Sequence, residues 1–502
     1  MEISPGAPTV KLNQPAPPGD VPPTLGVPTN DLVRSVFKNS ASQVAGRLFI
    51  AICRLVIAGF IIRSSGKGMF GEFSLVFGIL SIADWLVDFG TTEVFVREIC
   101  REPEQGTRLL RILTAAKIVQ IPAAFLGLTA IMLLLRYPAS IVAAGLVGGA
   151  NVLFFGGTLI YRVLFRATLT IEREVVAELL SVVAMIPLVA LACRSGGGLI
   201  VLMGCHLISR GIYFGLCFLF GRSRYRFSLQ GVTKQDVNWG LRSSVAIGTI
   251  GFLVGGYEIL DILLLSKLAS FSELAYYSAA QRLIWPTLMA VAAVAGTFYP
   301  VMASYWPQDR FRFEEACQRG LDTVLVLGGF ALCSVLAAAE FFMGLLGPEL
   351  ANGAPVLRVL ALLCFVKAIT STVGPVLYVV KAQRQALQFI GIAVAAKAAV
   401  IALLTPRYGY MGVAFGALIA ETFFAAVPAI YLIRKLSGFR VRWTVPLKVA
   451  MITMVAAVVP WLLSVKGLPA AVAAPGLYIP LAFLSGAVRL SEVQSLLKWK
   501  TP

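Results

Sequence analysis

Arg47 and Arg54 stand seven residues apart, and Asp84 and Asp88 four apart, in two successive and largely apolar runs, 44–63 and 69–92. Both spacings return to the same face of a helix. At 1.5 Å per residue, Arg54 and Asp84 lie about 15 and about 12 Å from the same end of their runs, and Arg47 and Asp88 each about 5 Å in. Two depth-matched ion pairs are therefore expected. The same arithmetic puts Glu258 and Arg282 each about 12 Å from the opposite end of theirs, with Asp261 on the side of Glu258. Lys117, Arg210, Lys367 and Lys397 stand in apolar runs without an evident acid, and Arg358 lies within a turn of a run's end. The chemistry such groups can do is the recognition of charge: neutralising one another, gating, or binding an ion of opposite sign.

The elements that must hold these groups are membrane helices. Of 502 residues, 58% are hydrophobic and 14% charged, with mean hydropathy +0.83, where soluble domains carry about 25% charged residues. Runs long enough to span a bilayer, about twenty residues, occur at 44–63, 69–92, 112–133, 140–161, 176–193, 197–220, 242–266, 274–299, 320–345, 356–380, 386–405, 410–433, 446–465 and 468–487. The chain is thus expected to be an all-α polytopic membrane protein of about fourteen transmembrane helices.

Loop charge gives orientation, because cytoplasmic loops accumulate Lys and Arg. With both termini cytoplasmic, the inside segments hold 28 basic residues and the outside loops 7. The net charge of +18 therefore reports membrane orientation, and no nucleic-acid partner is expected. Eight basic residues remain inside the runs: Arg47, Arg54, Lys117, Arg210, Arg282, Arg358, Lys367 and Lys397. A charge at the bilayer centre costs about 2.5–3.5 kcal/mol on the insertion scale, so these groups should face partners or a watery cavity. Arg47, Arg54, Lys117, Arg210, Arg282, Lys367 and Lys397 are read as a cationic, substrate-binding cavity. Asp84, Asp88, Glu258, Asp261 and Glu421 are read as gating or coupling groups, and Arg358 as a snorkelling side chain.

Other signals are absent or weak. The eight cysteines form no CxxC pair, and His206 is the only histidine, so no metal site is expected and His206 is read as a packed residue. Ser65-Gly66-Lys67-Gly68 lacks phosphate-loop spacing, and no cofactor is expected. The first thirty residues hold eight prolines and no apolar stretch, which suits a disordered tail and not a signal peptide. A glycosyltransferase or polymerase would need sizeable extramembrane loops, and the longest here is about 20 residues, too short for a domain. No enzyme is expected.

In RYGYMGVAFGALIAE (407–421), Gly412, Gly416 and Ala420 follow the small-xxx-small spacing that lets helices approach closely. Glu421, one position on, lies about 16 Å deep. This stretch resembles the YGxxGaAxaxxxxE signature in the C-terminal half of polysaccharide flippases of the multidrug/oligosaccharidyl-lipid/polysaccharide exporter superfamily. FGEFSLVFGILSIADWLVDFG (70–90) with VREI (96–99), AYYSAAQRLIWP (275–286) with YP (299–300), and LLGPELANGAPVLRVLAL (345–362) agree in order. The resemblance covers most of residues 40–433.

It implies two pseudo-symmetric six-helix lobes that rock between inward-open and outward-open states, plus two C-terminal helices. The expected division is a proline-rich cytoplasmic tail (1–40), an N-lobe (41–220), a cytoplasmic inter-lobe loop (221–241), a C-lobe (242–433), and helices 13 and 14 with a cytoplasmic C-terminus (434–502). It further implies translocation of undecaprenyl-pyrophosphate-linked oligosaccharide across the bacterial inner membrane, for exopolysaccharide or O-antigen export. The partners would be that lipid-linked oligosaccharide, membrane lipids, and a polysaccharide polymerase and co-polymerase. Two alternatives stay open: a proton- or sodium-driven multidrug antiporter of the same superfamily, which Asp84, Asp88 and Glu421 would suit, and a flippase of lipid-linked peptidoglycan precursor.

Overall fold

Two glycines in the left-handed region decide how the chain folds back. Gly66 (φ 80°) and Gly409 (φ 56°) each break a long helix into two arms, a conformation a side chain would resist. The computed structural model describes residues 32–436 and 442–488. Its helices are α1 (Leu32–Asp88), α2 (Thr91–Arg101), α3 (Gly106–Leu134), α4 (Ala139–Gly149), α5 (Asn151–Ala167), α6 (Ile171–Arg194), α7 (Leu199–Gly221), α8 (Lys234–Leu268), α9 (Phe271–Tyr305), α10 (Arg310–Leu346), α11 (Ala354–Val379), α12 (Gln383–Lys435), α13 (Thr444–Leu462) and α14 (Leu468–Leu484). No strand occurs among the described residues.

Two arms each for α1 and α12, with α4 and α5 as one interrupted span, give the fourteen expected crossings among the described residues. α2 is a short amphipathic helix that buries Val94, Phe95 and Ile99. α1, α3–α5, α6 and α7 form one lobe and α8–α12 the other, while α13 and α14 pack on α10.

Two expected boundaries move. α1 begins at Leu32, so residues 32–40 of the expected tail are helical; residues 1–31 and 489–502 lie outside those described. The expected inter-lobe loop also ends early, because Thr233 and Asp236 cap each other's backbone N–H groups and start α8 at Lys234. The first turns of α8 dock on the N-lobe: Arg108 pairs with Asp236 at 3.3 Å, and Phe95 meets Trp239 edge-on at 6.0 Å. α8 therefore belongs to the N-lobe at its start and to the C-lobe at its end.

The lobes touch closely at the end where α1 kinks. Lys67 donates to the Tyr276 hydroxyl at 3.1 Å, Tyr137 and Ser266 share a hydrogen bond of 2.8 Å, and Gly71 leaves no room for a Cβ against the Phe271 carbonyl. α9 is well buried from Leu274 to Ile284 and sparsely beyond, where Val291, Ala295 and Met302 are its buried residues. The lobes thus meet closely at this end, and the burial of α9 thins toward the other.

Candidate functional site

Both arms of α1, with α6, α7 and α9, surround a narrow cleft between the lobes with a cavity volume of about 40 Å³. Arg54, Glu178, His206, Arg210, Tyr213 and Arg282 line it. Helical spacing sets the first contacts: Glu174 and Glu178, four apart on α6, face α5 and α1. Arg162 pairs with Glu174 at 2.6 Å, and Tyr213 donates to Glu174 at 3.3 Å. Arg54 pairs with Glu178 at 3.0 Å, and Arg210 with Asp84 at 2.9 Å.

These pairings replace the expected Arg54–Asp84 pair. Equal depth was the wrong guide, because the first arm of α1 packs on α6, and the second arm turns Asp84 toward α7. The expected Arg47–Asp88 pair fails also. Asp88 accepts from the Thr92 N–H at 3.1 Å and the Thr92 hydroxyl at 2.6 Å, so it caps the start of α2, whose first N–H groups have no partner in their own helix. Arg47 is exposed.

Arg282 is not paired with Glu258. Its guanidinium lies 5.1, 5.6 and 5.6 Å from the ring centroids of Phe70, Phe73 and Phe77. Among the described residues, none of its N–H groups is hydrogen-bonded and no carboxylate forms an ion pair with it. Cation–π contact over aromatic faces holds the group by its plane and leaves the donors at its edge free. His206 is buried against Phe77 (5.2 Å), as a packed residue should be.

Lys117 does not line a cleft. It is 2% exposed and donates to the Val87 carbonyl (2.6 Å), Thr91 (2.6 Å) and Gln120 (3.0 Å). Its ammonium closes the last turn of α1, where carbonyls lack intrahelical partners. Arg358 pairs with Glu340 at 3.2 Å at the protein surface, as a snorkelling side chain would.

The C-lobe holds a second charged cluster. Lys367 on α11 pairs with Glu258 on α8; Lys397 on α12 pairs with Asp261 at 2.8 Å and donates to the Tyr257 carbonyl at 2.7 Å. Tyr277 donates to Asp261 at 2.5 Å. Glu421, 2% exposed, accepts from the Tyr257 hydroxyl at 2.9 Å and from Thr370 at 2.8 Å. Three carboxylates thus face two ammonium groups. The cluster borders a small recess of about 20 Å³ and opens onto a larger one of about 430 Å³, with Trp285 at the wall of both.

The small-residue stripe joins the two arms of α12. A Cβ on Gly412 would stand 2.5 Å from the Leu404 carbonyl, and one on Gly416 2.8 Å from Ile401, with Ala420 buried beside them. Glu273, from the start of α9, accepts from the Tyr410 N–H at 2.9 Å and so caps the second arm just past the Gly409 break.

Sequence reasoning missed Glu178, Arg162, Glu174, Tyr257, Tyr277, Thr370 and Trp285. The acids at 174 and 178, four apart at the head of an apolar run, carried a findable signal. The tyrosines and Thr370 did not, because neutral hydroxyls are common in membrane helices.

A family model described as polysaccharide biosynthesis protein matches residues 32–306. The lipid II flippase MurJ in an inward-closed conformation superposes with TM-score 0.69 at 14% identity, covering 87% of this chain and 97% of that one. An inward-facing multidrug resistance MATE family transporter of the MOP superfamily superposes at 0.63 with 14% identity, over 78% and 95%. A MOP superfamily transporter from Pyrococcus furiosus gives 0.60 at 14%, over 82% and 99%. No curated protein sequence matches. The two-lobed fold is therefore that of these transporters, and by its match over more than half its length the chain belongs to the polysaccharide biosynthesis protein family.

Proposed function

We propose that this chain is a flippase that carries undecaprenyl-pyrophosphate-linked oligosaccharide across the bacterial inner membrane by alternating access, for exopolysaccharide or O-antigen export. The observation that carries the reading is Arg282: a guanidinium in a cleft between the lobes, steadied on three phenylalanines, with its N–H donors uncommitted. Arg54 and Arg210 enter the same cleft. A pyrophosphate losing water needs charge-assisted donors at several oxygens, and arginine forks match that geometry.

The asymmetry between the ends of the molecule supports alternating access. With the basic loops and both termini in the cytoplasm, the tight Lys67–Tyr276 and Tyr137–Ser266 contacts fall at the periplasmic side. On this reading the described state is closed to the outside, with the sparsely buried end of α9 toward the side on which lipid-linked sugars are made. No enzymatic step is required of the chain; the substrate leaves as it entered, in the other leaflet. The polymerase and co-polymerase would act on it there.

The test is complementation of a bacterial strain lacking its polysaccharide flippase, read by surface glycan on gels and by lectin staining. Restored glycan, lost again on Arg282→Ala with membrane abundance unchanged, is the expected result. No restoration despite full membrane insertion, together with extrusion of cationic dyes, would replace this reading with the drug-antiporter one.

A further inference from the structure

The anion cleft and the large C-lobe recess are both lined by α9. Gln281, Arg282 and Trp285 on α9 lie within four residues, so they project from neighbouring positions of one turn. Arg282 faces the cleft with Arg54, whereas Gln281 and Trp285 face the C-lobe recesses. Arg282 and Trp285 are three apart on α9, so a ligand whose anionic group is held at Arg282 can extend its next chemical unit toward Trp285.

Three properties of that place describe the unit. Trp285 is 41% exposed and lines a recess of about 430 Å³ together with Tyr257 and Phe424. An aromatic face with open space over it suits the axial C–H face of a pyranose, since the ring's negative face attracts polarised C–H groups. The Gln281 amide has no hydrogen bond among the described residues, and the Ser371 hydroxyl, which donates to the Ala368 carbonyl at 2.7 Å and keeps its acceptor lone pairs, borders the recess. Both can meet sugar hydroxyls. Finally, Glu258, Asp261 and Glu421 outnumber Lys367 and Lys397 by one, so the formal charge at the back of the recess is negative, opposite to the excess at Arg282.

We propose that the Trp285 recess is the glycan subsite, built for a neutral pyranose joined directly to the pyrophosphate, and that it discriminates against an acidic sugar in that position. The inference rests on the anion-binding role given to Arg282 above. A uronic acid there would bring a further carboxylate to a cluster whose three acids already exceed its two ammonium groups by one, in a medium that screens poorly. A neutral sugar meets no such repulsion and gains the stacking contact.

The test is titration calorimetry on the purified full-length chain with three probes: farnesyl pyrophosphate, its N-acetylglucosaminyl conjugate and its glucuronosyl conjugate. The neutral conjugate should bind more tightly than the bare pyrophosphate and than the glucuronosyl form. Trp285→Ala should remove this advantage, about threefold to tenfold for one stacked ring, and leave the bare probe unchanged; Trp285→Phe should keep most of it, which separates lost stacking from misfolding. A sugar preference that survives Trp285→Ala, or a glucuronosyl conjugate bound as well as the neutral one, would overturn the subsite. Failure of all three probes to bind, or an Arg282→Ala variant that binds the bare probe normally, would overturn the anion site and the subsite with it.

Discussion

The Lys397–Asp261 pair permits a quantitative test of how the C-lobe is held together. The two side chains are 3% and 4% exposed and 2.8 Å apart, among the most buried ion pairs in the described residues. Lys397→Met keeps the bulk and removes the charge, leaving Asp261 with the Tyr277 hydroxyl at 2.5 Å. Removing one partner of a buried pair typically costs about 3–5 kcal/mol, because the remaining charge has lost its compensation. The retained Tyr277 hydrogen bond places the expectation at the lower end, about 3 kcal/mol. Asp261→Asn alone should also destabilise, by stranding the ammonium against the Tyr257 carbonyl. The double variant Lys397→Met with Asp261→Asn strands no charge, and should be more stable than the sum of the singles by about 1–3 kcal/mol. Equilibrium unfolding of all four chains in mixed micelles reads both quantities. A loss below about 1 kcal/mol for Lys397→Met, or strictly additive single effects, would refute the view that this pair is a desolvated unit.

Three other expectations follow from the same geometry. Glu178→Gln releases Arg54 from its 3.0 Å partner and should tighten farnesyl pyrophosphate binding several-fold, whereas Arg54→Ala should weaken it; calorimetry on both variants checks the opposed signs. Defects of Asp84→Asn should be relieved by Arg210→Met and not by Arg54→Ala, since Asp84 pairs with Arg210 at 2.9 Å; glycan export by the three combinations decides it. Gly416→Leu should destabilise by about 1–3 kcal/mol through overpacking, because even a Cβ there comes within 2.8 Å of Ile401, and it is read by thermal unfolding.

The number of crossings was legible because hydropathy and loop charge are separate signals that agreed, and the two glycine breaks did not disturb either. Which residues carry buried charge was legible too, since nothing else in a membrane helix explains Arg54, Lys367 or Glu421. Partner choice was not. It depends on which helices are neighbours and on how each is rotated, and depth along the axis constrains neither. Arg54 found Glu178 because α1 packs on α6. Asp88 was drawn to the Thr92 N–H by a local turn whose need for a cap outranks any distant cation. Lys117 followed the same logic at the Val87 carbonyl. The small-residue stripe was rightly read as a close helix contact, and its partner proved to be the other arm of its own helix, across a kink no periodicity announces.

The pairing pattern bears on how a carrier could release what it binds. Arg54, Arg210, Arg358, Lys367 and Lys397 each hold a carboxylate, while Lys117 serves the Val87 carbonyl, the Thr91 hydroxyl and the Gln120 side-chain oxygen. If all the cations met the substrate unpaired, attraction at low dielectric would hold it in place, since a charge pair that cannot fall back on water or another partner separates slowly. On the proposed anion-binding role, the substrate competes with Glu178 for Arg54, and Glu178 restores the pair when it leaves. The departing anion is exchanged for an internal one, so the partly exposed Arg54 keeps a partner in either state. Among the cleft cations Arg282 is the exception, and its three phenylalanines supply a weaker, neutral support. Neutralising Glu178 should therefore slow release even as it tightens binding, and a flippase with tighter binding but lower glycan output would be the signature. If Glu178→Gln raised affinity and export together, release would not depend on this exchange.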